Sequence, residues 1–99
     1  MLSINKETSG ESQVVALGGR LDTTTAQELE GAIKEAIEGK TELIIDMKEL
    51  EYISSAGLRV LLSAHKAMSR QGSMVVKNAS EAVKEIFEVT GFSDILTIE

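Results

Sequence analysis

Apolar and polar positions alternate along LSINKET, residues 2–8, the period of a strand with one covered face. Ser9 and Gly10 supply turn chemistry, and SQVVALGGRL after them is rich in Val and Leu. The first 21 residues therefore predict a β-hairpin. From Asp22 the period changes. In TTTAQELEGAIKEAIEG the residues Ala26, Leu29, Ile33, Ala36 and Ile37 fall on one helical face, with Asp22 or Thr23 as the natural N-cap and Gly39 as the stop. TELIID, about residues 41–46, is a short continuous apolar run, which suits a strand buried on both faces. MKELEYI reads as a connection. A second helix then begins near Ser54 or Ser55, with Leu58, Leu61, Leu62, His65 and Met68 at helical spacing. Gly72 breaks it, and SMVVKN is the next strand. ASEAVKEIFEVTGF predicts a third helix with Ala82, Val83, Ile86 and Phe87 inward and Gly91 at its end. DILTIE closes the chain as a short strand.

The resulting order, ββαβαβαβ, predicts one α/β domain over residues 1–99: a mixed, mostly parallel sheet packed with helices. The strand containing Leu43 to Ile45 is expected to be central and parallel to its neighbours. In such folds the loops leaving the C-terminal ends of parallel strands gather on one edge. Three turns qualify: the one holding Asp22, the one before Ser54 and Ser55, and the one holding Asn78 and Ser80.

Composition narrows the function. With no cysteine, disulfide and thiolate chemistry are excluded and a cytoplasmic location is expected. The net charge of −6 repels phosphate backbones, so nucleic acid is not the expected partner. The apolar runs are far shorter than the roughly 20 residues of a membrane span, and MLSINKETSG has no apolar signal core. An enzyme is poorly supported. His65, the one histidine, shares a helical face with Leu58 and Leu61. It lies about 15 Å along the helix from Ser55, at roughly 1.5 Å per residue, too far for a serine–histidine pair. No clustered metal ligands and no GxGxxG or GxxxxGK[ST] spacing occur, so neither a metal nor a cofactor is expected. Gly18 and Gly19 read instead as a strand end where the backbone comes close to a neighbour.

The stretch YISSAGLRVLL, residues 52–62, stands out. A serine is a favoured N-cap, which accounts for one hydroxyl of the pair. Gly57 in the first turn costs up to about 1 kcal/mol against alanine. Ala56 and Gly57 also leave the helix start bare of bulk, open to a partner surface. From the residues alone, a plain cap and a docking or modification site both remain open.

IIDMKELEYISSAGLRVLL resembles the signature of the STAS domain (sulfate transporter and anti-sigma antagonist): a strand ending in Asp, a connection, a serine, a small residue, Gly-Leu and an apolar helix. GGRLDTTTAQEL resembles the other hallmark, Gly-x-Leu-Asp leading into the first helix. The resemblance covers the whole chain in order and length. It implies a partner-switching module. The unphosphorylated antagonist binds an anti-sigma factor that is also a serine kinase, phosphorylation releases it, and a serine phosphatase reverses the change. Gly57 and Leu58 set the register and place the phosphoacceptor on Ser55, with Ser54 as the alternative. Ser54 stands where the family often has Asp, and Ala56 where it often has a second hydroxyl. The expected docking surface joins Asp22, Ser54, Ser55, Ala56, Gly57 and Leu58 with Arg59 and Ser63 on the solvent side of the second helix. A STAS subunit or scaffold of another assembly, such as a lipid-transport complex or a signalling pathway without a sigma factor, carries the same pattern.

Overall fold

The structure, a computed structural model, describes residues 2–99. Strands β1 (Leu2–Ser9) and β2 (Ser12–Leu21) form the predicted antiparallel hairpin. Gly10 turns it with φ +60°, a conformation that favours glycine. Helix α1 (Ala26–Ala36), strand β3 (Glu42–Ile53), helix α2 (Ser55–Ser69), strand β4 (Ser73–Lys77) and helix α3 (Glu81–Thr90) follow. The sheet order is β1-β2-β3-β4, and β3 lies between β2 and β4, parallel to both. This is the central, parallel placement expected for Leu43 to Ile45.

Each parallel connection steps across the sheet in the same direction. Right-handed crossovers then set the helices on one face. That face carries Val15, Leu17 and Leu21 of β2, Leu43, Ile45 and Met47 of β3, and Met74 and Val76 of β4. They form one core with Leu29, Ile33, Leu61, Met68, Val83 and Phe87 from the helices. The opposite face carries Val14, Ala16, Ile44 and Val75, all half-buried. The expectation that TELIID is covered on both faces is therefore corrected: Leu43 and Ile45 are buried, while Ile44 and Asp46 are not.

The largest departure from the sequence reading lies in MKELEYI. It is not a connection but the second half of β3. Ala16 pairs with Asp46 and Gly18 with Glu49; Gly19 pairs with Leu50 and Arg20 with Tyr52. Each shift adds one residue to β3, as a β-bulge does. The inward positions Met47, Leu50 and Ile53 therefore recur every three residues, which hides the strand period. At the first shift Asp46 Oδ1 accepts the Lys48 N–H at 3.0 Å. Opposite it, a Cβ on Gly18 would meet Ser3 Oγ at 2.6 Å and Glu49 Cβ at 3.2 Å. Gly18 thus serves a close approach, as expected, but inside β2 rather than at its end.

Three smaller corrections follow. α1 starts at Ala26 with Thr25 as N-cap, not at Asp22 or Thr23, and Ile37 is only half-buried. In α3, Val83 and Phe87 are buried and Ile86 half-buried, but Ala82 is exposed. The closing strand is reduced to a 3-10 turn (Phe92–Asp94) and one parallel bridge between Val76 and Ile98. Two backbone hydrogen bonds of 2.8 Å hold that bridge, from Val76 N–H to Thr97 O and from Glu99 N–H to Val76 O.

Candidate functional site

The length of β3 decides which turns meet. Leu21 pairs with Ile53, so β2 and β3 end level. The Ser54 N–H then donates to Leu21 O at 2.8 Å, which ties the start of α2 to the Asp22 turn. β4 stops earlier, with Lys77 opposite Asp46. Measured along β2 from Ala16 to Leu21, that end is set back by roughly 16 Å, at about 3.3 Å per residue. Two of the three expected turns therefore share an edge, and the Asn78–Ser80 turn does not. Its own anchor is Asn78, at φ +61°, whose amide donates to Asp46 Oδ1 at 3.1 Å.

The Asp22 turn is closed by reciprocal bonds. Asp22 Oδ1 accepts the Thr24 hydroxyl at 2.8 Å, the Thr24 N–H at 3.1 Å and the Thr25 N–H at 3.2 Å. Thr25 Oγ1 accepts the Asp22 N–H at 2.9 Å and donates to Arg20 O at 3.0 Å. Asp22 therefore orders the lead-in to α1 rather than capping the helix itself. The Thr24 hydroxyl, followed by the backbone and side chain of Thr25, holds its carboxyl below the usual range against a smaller opposing effect of desolvation. The group is a fixed negative charge at neutral pH.

The two adjacent serines divide the work at α2. Ser54 has extended backbone (φ −97°, ψ 176°) and its Oγ accepts the Gly57 N–H at 3.4 Å, so it is the N-cap. Ser55 is the first helical residue, exposed, and its hydroxyl has no hydrogen-bond partner among the described residues. No acidic residue lies in the first turn of α2, so the positive end of its dipole faces no carboxylate of its own helix.

The eight residues expected at the docking surface separate by depth. Ser55, Arg59 and Ser63 are exposed and recur every four residues along α2, on one helix face. Asp22, Ser54 and Ala56 are half-buried. Gly57 and Leu58 are buried, so they cannot themselves meet a partner. Gly57 answers an internal demand. A Cβ there would sit 2.6 Å from Leu21 Cγ and 3.0 Å from Ile53 Cγ1. Only glycine lets the first turn of α2 rest on the ends of β2 and β3. The bareness read in the sequence as room for a partner is room for the sheet.

One pair at this edge was missed in the sequence. The Arg20 guanidinium lies 4.4 Å from the Tyr52 ring centroid, a cation–π contact one register step before Leu21 and Ile53. Its only signal is the register of β2 on β3, which the bulges set. His65 is half-buried on α2, and its Nδ1 is buried without a hydrogen-bond partner. Among the described residues no group of His, Cys, Asp or Glu is arranged to hold a metal ion.

The model of the STAS domain matches residues 3–99. The chain belongs to the STAS domain family. It is 32% identical over 97 residues to the anti-sigma-B factor antagonist of Listeria monocytogenes, covering 95% of this chain and 84% of the relative. Its fold matches the crystal structure of an anti-sigma factor antagonist from Mycobacterium paratuberculosis with a TM-score of 0.90 and 23% identity, over 99% of this chain and 85% of the other. It also matches the Bacillus cell fate determinant SpoIIAA in its phosphorylated form, with a TM-score of 0.76 and 21% identity over 98% of this chain and 91% of that one. Within the STAS fold of this chain, Asp22 and Ser55 stand on one sheet edge, and no helix among the described residues is long and apolar enough to cross a membrane.

Proposed function

We propose that this STAS domain is an anti-sigma factor antagonist working by partner switching, with Ser55 as its phosphoacceptor. The observation that carries the residue assignment is the division of the serine pair: the Ser54 hydroxyl is engaged in capping, whereas the Ser55 hydroxyl is exposed and free. The partner is an anti-sigma factor that is also a serine kinase, and a serine phosphatase resets the switch, all in the cytoplasm. The domain acts as a binding module rather than an enzyme. The kinase supplies the ATP: the Ser55 oxygen bonds to the γ-phosphorus as the bond to the β-phosphate oxygen breaks, ADP leaves, and the hydroxyl proton passes to the kinase.

Magnitudes explain why such a mark acts on binding and not on folding. A phosphate adds about −1.5 to −2 charges at neutral pH. At the first turn of α2 it meets the positive end of the helix dipole, a favourable interaction of roughly 0.3–1 kcal/mol. Against a docked surface with no cation to receive it, the same charge costs about 2–5 kcal/mol. That weakens a complex about 30-fold to several thousand-fold.

The test is capture of partners from the native cytoplasm on wild type and Ser55→Asp, with mass spectrometry of both the bound proteins and the phosphorylated residue. The expected result is an anti-sigma kinase retained by wild type, lost from Ser55→Asp, and phosphate on Ser55. Phosphate on Ser54 alone would move the site by one residue, and equal capture by both proteins would remove the switch.

A further inference from the structure

A groove runs between α1 and α2 and opens beside the Ser55 turn. Its deeper part, about 290 Å³, is lined by Ile33, Ile37, Val60, Ala64 and Ala67. It continues past Val60 and Ser63 to Ala56 and Arg59, the residues that follow Ser55. From Ala56 to Ala67 its α2 wall is about 16 Å long at roughly 1.5 Å per residue, three helical turns. Small residues on that wall let another backbone approach closely. The rim carries Lys34 and Arg59 against Glu30. None of the three is in an ion pair among the described residues. The rim is thus net positive on a chain whose net charge is −6.

Resting on the partner-switching reading, we propose that this groove seats an amphipathic α-helix of the anti-sigma partner with acidic flanks, its apolar stripe in the groove and a carboxylate on Arg59. Apolar side chains at i, i+3, i+4 and i+7 match a groove of this length, and the rim charges select acidic over basic flanks. The placement also gives the phosphate its leverage. Ser55 and Arg59 are an i, i+4 pair on exposed helix surface. A phosphate on Ser55 takes the Arg59 guanidinium through a charge-assisted bond, so the acidic helix loses its cation and gains a repelling neighbour.

Two synthetic helices of about 18 residues, three turns of contact plus ends, serve as probes: both carry leucine at 3–4 spacing, one flanked by Glu and the other by Lys. Amide chemical shifts of the isotope-labelled full chain are followed on titration with each. The expected result is binding of the Glu-flanked helix with shifts centred on Ile33, Ile37, Val60, Ala64 and Ala67. Affinity for it falls at least tenfold in Arg59→Glu/Lys34→Glu, which gains affinity for the Lys-flanked helix while keeping its melting temperature. Ser55→Asp weakens the Glu-flanked helix in wild type but adds nothing to Arg59→Ala. No binding, equal binding of both helices, or shifts centred on Val14, Ile44 and Val75 would overturn the proposal. Those outcomes leave the partner-switching reading standing if capture of the kinase still depends on Ser55. Conversely, groove binding with capture independent of Ser55 would discard that reading alone.

Discussion

α2 and α3 begin alike and are used differently. Each is capped by a serine whose Oγ accepts an N–H three residues on, Ser54 from Gly57 and Ser80 from Val83 at 3.2 Å. At α3 the next residue is Glu81, an acid that already complements the helix dipole. At α2 the next residue is Ser55, and the first turn holds no acid. The α3 start lies back beside Asp46, where β4 ends; the α2 start lies at the sheet edge beside Asp22. A cap is local chemistry that any helix can carry. A switch needs a vacant first turn and a place where a partner reaches it.

Four experiments sharpen or break that contrast. The largest effect is expected on partner binding: phosphorylation of Ser55 lowers affinity for the anti-sigma kinase about 30-fold or more and leaves the melting temperature within a few degrees. Titration calorimetry and thermal melts on the same sample check both halves; a collapse in melting temperature would show that the switch acts through the fold. Next is Gly57→Val. It forces a side chain onto Leu21 and Ile53 and costs about 1–3 kcal/mol by overpacking. Ala82→Val, at the equivalent exposed place in α3, stays within about 0.5 kcal/mol. Urea unfolding of the two variants decides whether the bareness of α2 serves the sheet.

Smaller again are the caps. Ser54→Ala and Ser80→Ala each lose about 0.5–2 kcal/mol, yet Ser54→Ala remains a substrate for phosphorylation at Ser55. The smallest effect belongs to Asp22. Its folded-state pKa is lowered, with the Thr24 hydroxyl the main cause. The stability it contributes is therefore fully present above the unfolded value of about 3.9 and is lost as pH falls through the depressed folded value. Stability curves of wild type and Asp22→Asn should accordingly converge below about pH 4; a difference that grows on acidification would reverse the assignment.

Much of this was legible along the chain. Period-two alternation marked the hairpin, period 3.6 marked all three helices, and the pair of motifs at Leu21–Asp22 and Ser54–Leu58 pointed to the STAS family. These signals are local: each follows from which side chains one strand or one helix turns toward a core. The second half of β3 was not legible, because two bulges convert its inward spacing to three, and a bulge is a relation between strands. The same relation decided the site. It carried Ile53 level with Leu21, stacked Arg20 on Tyr52 and left the Asn78 turn behind. Likewise, Ser-Ser-Ala-Gly identified a helix start but not the division of labour within it. Which serine caps, which stays free, and what Gly57 makes room for depend on atoms of Leu21 and Ile53 brought in from elsewhere. Sequence by itself determined the elements and the residue types at their ends; only the packing of α2 onto the sheet edge decided which of those residues face a partner.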